Sequence, residues 1–143
     1  MKKPLVRDCM DTDTHEVHAD DDLYDVVRML ITKSVTGAPV VDADRKVLGM
    51  FTEAECLRLL SKGTGGEVPH GPVADFMSRH PVEVRPEMDI YYAAGLFNAN
   101  PTLRRFAVVN EHEVLVAVVT RKDLLRLVHA QLMRSTSAPP PPA

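Results

Sequence analysis

The chain carries one pattern twice, and this duplication constrains the fold more than any other feature of its 143 residues. A first segment opens at Cys9-Met10, runs through Thr36-Gly37-Ala38-Pro39-Val40-Val41-Asp42 and reaches Gly49-Met50-Phe51-Thr52-Glu53-Ala54-Glu55. A second opens at Phe76-Met77, runs through Arg104-Arg105-Phe106-Ala107-Val108-Val109-Asn110 and reaches Ala117-Val118-Val119-Thr120-Arg121-Lys122-Asp123. Met10 matches Met77, Asp20 matches Glu87 and Tyr24 matches Tyr91 at an offset of 67; after a one-residue insertion, Asp42 matches Asn110 and Thr52 matches Thr120 at 68. The expectation is two similar units with a pseudo-twofold relation and grooves between them. A unit of roughly 55 to 60 residues is marginal alone, so the halves are expected to bury apolar surface against each other.

Local patterns give each half the same order of elements. Asp20-Asp21-Asp22 supplies a helix cap, and Leu23, Val26, Val27 and Leu30 then recur at helical spacing. The helix stops before Gly37 and Pro39. Ala38 to Val41 and Val47 to Phe51 read as the two strands of a hairpin around a polar turn. Thr52-Glu53-Ala54-Glu55 is a capping-box pattern that starts a helix through Leu60. The second half repeats this, with a lead strand at Val82 to Val84 and a helix from Glu87 to about Asn98. Its strands run from Arg105 to Val109 and from Val114 to Val119, and its closing helix from Thr120 to about Met133. The fold class is α/β, two repeats of a short sheet packed with two helices. The first repeat is placed at 1–62, a Gly-rich linker at 63–71, the second repeat at 72–133, and a Pro-rich tail, expected to be disordered, at 134–143.

Several functions are disfavoured by composition. A net charge of −3 gives no general attraction to nucleic acid or to an anionic membrane. No apolar run approaches the ~18 residues of a membrane span, and Met1-Lys2-Lys3-Pro4 lacks the apolar stretch of a secretion signal. Two cysteines without a pairing motif suit a reducing, cytoplasmic setting. The six histidines show no zinc-site spacing with cysteine, and no metal or cofactor is expected. No nucleophile–base pairing or phosphate-binding Gly-rich loop is recognisable, so catalysis is not expected.

The ordered, repeated motifs quoted above resemble the cystathionine β-synthase (CBS) domain family, specifically a tandem CBS pair or Bateman module, over about Val6 to Met133. The resemblance implies a regulatory sensor that binds an adenosine-containing ligand (AMP, ADP, ATP or S-adenosylmethionine) between its repeats and modulates a partner protein. It also implies pairing into a homodimer. The alternative is a ligand-free dimerisation or scaffold module.

The family pattern Gly-apolar-x-Thr/Ser-x-x-Asp implies a carboxylate on the ribose hydroxyls and a hydroxyl residue near the ribose or phosphate. An ionised carboxylate suits a diol because it only accepts hydrogen bonds. The second repeat supplies Thr120 and Asp123, with Ala117 in place of the glycine. The first supplies Gly49 and Thr52 but ends in Glu55, one methylene longer. The resemblance therefore favours the Asp123 cleft. It would be completed by the lead segment Asp11 to Val17, by Val35-Thr36-Gly37 with backbone groups near Thr36 and Gly37 at the adenine edge, and by Val118 against the adenine face. A weaker second site would hold Ser78, Met50, Thr52 and Glu55. Arg104 and Arg105 are candidates for phosphate because a guanidinium can bind it bidentately. Asp11 opposes each added phosphate, so AMP or ADP is expected over ATP. Both Thr-x-x-acid motifs are also plain N-cap patterns that require no ligand.

Overall fold

The computed structural model describes residues 3–62 and 68–136, so the core of the expected linker and the end of the Pro-rich tail lie outside the described residues. The first repeat contains β1 (Val17–His18), α1 (Leu23–Lys33), β2 (Gly37–Val41), β3 (Val47–Thr52) and α2 (Glu53–Ser61). The second contains β4 (Glu83–Val84), α3 (Ile90–Ala99), β5 (Arg105–Val109), β6 (Leu115–Thr120) and α4 (Arg121–Thr136). Each repeat forms one three-stranded sheet, with its lead strand parallel to the first hairpin strand and the hairpin antiparallel.

Local chemistry sets the element boundaries. The Asp22 carboxylate accepts from Tyr24 N at 3.0 Å and caps α1, and Ser34 in the left-handed region ends it. Asp89 does the same for α3, accepting from Tyr91 N at 2.7 Å. That cap is why α3 starts at Ile90, three residues beyond the expected Glu87. The matched residues Asp42 and Asn110 serve one purpose in the two hairpin turns. Asp42 Oδ1 accepts from Asp44 N and Lys46 N, both at 2.9 Å, and Asn110 Oδ1 accepts from His112 N and Val114 N at 2.9 and 3.1 Å.

Each sheet buries one face against its own helices. Val17, Leu23, Val26, Leu30, Ala38, Val40 and Phe51 form the first core. Val84, Ala93, Phe97, Phe106, Val108, Ala117 and Val119 form the second, where Phe97 and Phe106 stack with ring centroids 3.9 Å apart. The opposite faces meet each other through Val41, Ala107 and Leu115. Strand alternation explains this division, because Ala38 and Val40 point one way and Gly37, Pro39 and Val41 the other.

The repeats exchange their opening turns. Val6, fully buried, belongs to the second core, and Val73, fully buried, to the first. Val6 N donates to Met88 O and Val73 N to Asp21 O, each at 2.8 Å. The isolated bridges between segments obey the pseudo-twofold relation: Leu5 with Asp89 mirrors Pro72 with Asp22, and Asp11 with Val118 mirrors Ser78 with Met50. Lys46 bridges to Val114, its own equivalent, so the axis passes between the two hairpins.

Candidate functional site

The cleft between repeats is built on the sheet faces that turn away from the two helical cores. On the second repeat, Arg105 lies opposite Thr120 and Ala107 opposite Val118. On the first, Gly37 lies opposite Thr52 and Pro39 opposite Met50. Paired residues share a face, so these two sets confront each other across the axis. Met50 and Val118 occupy equivalent positions, are both buried, and belong to none of the three core clusters.

The lead segments close the cleft on either side. Asp11 N donates to Val118 O at 2.8 Å and Val118 N returns the bond to Asp11 O at 2.9 Å. Ser78 and Met50 exchange the equivalent pair at 2.8 and 3.0 Å. Asp11, Arg105, Val118, Thr120 and Asp123 are therefore brought together, as are Ser78, Met50, Thr52 and Glu55.

Val35, Thr36 and Gly37 lead into and open β2 of the first repeat. Glu53 N donates to Thr36 O at 2.9 Å, and Gly37 pairs with Thr52, so this stretch lies against the start of α2. Val35, half-buried, packs against the first core and donates its N–H to Leu30 O at 3.0 Å. Hairpin register dictates the Gly37–Thr52 pairing: the first residue of β2 must face the last residue of β3. The same register puts Arg104 and Arg105 beside Thr120.

Both motif carboxylates are buried, Glu55 at 5% and Asp123 at 6% exposure, and both cap helices. Asp123 Oδ2 accepts from Thr120 N at 2.8 Å, and Asp123 N donates to Thr120 Oγ1 at 3.1 Å. Asp123 Oδ1 accepts from Arg126 at 3.1 Å. Glu55 is more heavily engaged. Its Oε2 accepts from Thr52 N at 2.7 Å and from the Thr52 hydroxyl, while Oε1 takes Arg58 at 3.4 Å. The caps offset the cost of burying these charges and leave acceptor capacity on Asp123.

The two sides differ most at one position. The equivalent of Gly37 is Arg105, whose half-buried guanidinium has its Nε buried and without a hydrogen-bond partner. Burial pulls this guanidinium below its usual range, while the nearby carboxylates of Asp123 and then Asp11 act to raise it. Arg104 takes a different course, donating to Glu53 Oε1 at 2.9 Å.

Sequence reasoning missed a groove of about 460 Å³ between residues 8–12 and the face of α4 carrying Asp123, Arg126, Leu127 and Ala130. The spacing of those four residues at i, i+3, i+4 and i+7 was the available signal. Cys9 lies in this groove, its thiol pushed up to about 11 by burial and by the carboxylates of Asp123 and Asp8, so it is a poor nucleophile. Among the described residues, no helix is long and apolar enough to cross a membrane.

Similarity to known proteins agrees with this architecture. MJ1426 of Methanocaldococcus jannaschii is 27% identical, over 87% of this chain and 86% of its own length. Inosine-5'-monophosphate dehydrogenase of the same organism is 25% identical over 80% of this chain, but this covers only 21% of the enzyme; for a second relative, MJ1225, the share is 42%. Among solved structures, CBSX2 in complex with AMP superimposes with a TM-score of 0.78 at 28% identity, covering 91% of this chain and 98% of that one. CBSX2 is an Arabidopsis thaliana CBS-pair protein. The CBS domain pair of MJ0100, solved with 5'-methylthioadenosine and S-adenosylmethionine, gives a TM-score of 0.79 at 18% identity, over 91% of this chain and 99% of that one. A family model described as CBS domain matches residues 6–62 and again 73–130, so the chain belongs to the CBS domain family as a tandem pair.

Proposed function

We propose that this chain is a regulatory CBS pair that binds an adenosine-containing ligand in the Asp123 cleft and thereby alters a partner protein. The observation that carries this reading is Arg105. A buried guanidinium nitrogen without a partner is costly, and a ligand phosphate would satisfy it. Asp123 retains acceptor capacity for a ribose diol, and the 28%-identical CBSX2 was solved with AMP. Ligand bridging the repeats would favour one relative orientation, limited by its differential affinity for the two. This role is regulatory rather than catalytic. Free Cys9 and Cys56 fit a reducing, cytoplasmic setting.

The test is calorimetric titration with adenosine, AMP, ADP, ATP and S-adenosylmethionine. AMP is expected to bind more tightly than adenosine, with higher salt narrowing the difference. Arg105→Ala should bring AMP down to the adenosine level and leave adenosine nearly unchanged. Identical affinities of adenosine and AMP in both proteins would remove the phosphate role from Arg105.

A ligand-free scaffold is favoured by one observation, the engagement of both motif carboxylates in caps and arginine pairs. Absence of binding for all five compounds would establish that reading instead. Under either reading we propose a homodimer. Leu57 and Leu60 on α2 and Leu125 and Val128 on α4 are all more than half exposed, an unusual apolar load for a small surface. Light scattering at micromolar concentration should give about twice 15.8 kDa. A monomer mass at every accessible concentration rejects the dimer.

A further inference from the structure

The Arg104–Glu53 ion pair joins the two repeats. Glu53 is the first residue of α2, and Arg104 immediately precedes β5. Their contact, Nε to Oε1 at 2.9 Å, therefore runs from the first repeat to the rim of the cleft in the second. Arg104 sits at that rim because its carbonyl accepts from Arg121 N at 3.3 Å, at the start of α4.

The pair has no counterpart across the pseudo-twofold axis. The equivalents of Glu53 and Arg104 are Arg121 and Thr36. Arg121 turns into its own repeat, donating to Leu103 O at 3.0 Å and Phe97 O at 2.9 Å, with its guanidinium 5.1 Å from the Phe97 ring centre. The contact is thus peculiar to one side of the molecule, the side of the Arg104–Arg105 pair. On that side the carboxylates of Asp123 and Asp11 stand near Arg105, so a second guanidinium there bears on whether the cleft tolerates more than one phosphate.

We propose that Glu53 is a specificity-determining residue: by holding Arg104 across the repeats it restricts the cleft to adenosine ligands with few phosphates. This rests on the adenosine-ligand reading above. Arg105 remains available to the first phosphate, because its Nε has no partner. A second phosphate finds Arg104 already neutralised and must displace the Glu53 carboxylate. The exchange is weak in absolute terms, since the pair is solvent-exposed at 62% and 51%, and it acts on the ratio between ligands rather than on folding.

The experiment compares adenosine, AMP and ADP by calorimetry on the wild type, Glu53→Gln, and Glu53→Gln combined with Arg104→Gln. Glutamine keeps the size and helical position of Glu53 and removes only its charge. In Glu53→Gln the ratio of ADP to adenosine affinity should rise about 3- to 10-fold, and the gain should shrink at higher salt. Removing Arg104 as well should cancel it. An unchanged ratio, or a gain that persists without Arg104, overturns the inference while adenosine binding keeps the functional reading intact. Absence of binding by adenosine, AMP and ADP in all three proteins overturns the inference, and if ATP and S-adenosylmethionine also fail to bind, the functional reading falls with it.

Discussion

Asp123→Ala is expected to weaken adenosine-ligand binding by about 5- to 150-fold, roughly 1 to 3 kcal/mol, while Glu55→Ala leaves it nearly unchanged. The two residues look alike in burial and in capping, so the difference must come from their surroundings. Glu55 Oε2 takes both the backbone N–H and the hydroxyl of Thr52, whereas Asp123 Oδ2 takes only the backbone N–H of Thr120. Asp123 also lies near the Arg105 guanidinium, while the equivalent position beside Glu55 is Gly37, with no side chain to meet a phosphate. A Cβ there would fall 2.8 Å from Thr52 Cγ2, so a side chain at this position would require Thr52 to shift. Both alanine variants lose a helix cap, and each should lower the melting temperature by a similar amount. That shared loss separates capping from binding. Equal, small changes in affinity accompanied by equal losses of melting temperature would leave both residues as caps alone. Asp123→Asn is the companion variant, because it keeps an acceptor for Thr120 N and removes the charge.

The particular residues show which parts of the molecule could be read in advance. Asp42 and Asn110 mark the two hairpins because their side chains act on backbone groups two and four residues away. Asp22 marks the start of α1 for the same reason. These are local devices, and local devices are legible in a single sequence. The exchange of Val6 and Val73 between cores was not legible, because a three-residue turn has no periodicity to say which sheet it will cover. The grouping of Thr36 and Gly37 with Thr52 occupies a middle ground. It follows from counting outward from the hairpin turn, which sets Gly37 opposite Thr52. The capture of Arg104 by Glu53 depends on residues 51 positions apart meeting across the axis, which no local pattern encodes.

Gly49→Ala is expected to destabilise the protein by about 1 to 3 kcal/mol, because the added methyl has no space. A Cβ at Gly49 would lie 2.3 Å from Ser78 O and 2.8 Å from Met77 Sδ. The sulfur belongs to a flexible side chain and can move. The carbonyl oxygen cannot, since it accepts Met50 N at 3.0 Å while Ser78 N donates to Met50 O at 2.8 Å. Admitting the methyl therefore means withdrawing the second lead segment from β3 and loosening both bonds. The second repeat tolerates the larger residue at the equivalent site: Ala117 is fully buried in a core against which Met10 packs, and Asp11 still exchanges both bonds with Val118. The requirement for glycine is thus a property of how Met77 and Ser78 seat, not of the β-strand itself. Urea unfolding should show a lower midpoint for Gly49→Ala at an unchanged slope. Because Ser78 sits in the Glu55 cleft, the variant should also leave ligand binding at Asp123 largely intact once the protein is folded. A midpoint equal to wild type would mean that the lead segment shifts freely, and the close approach at Gly49 would then have no energetic weight.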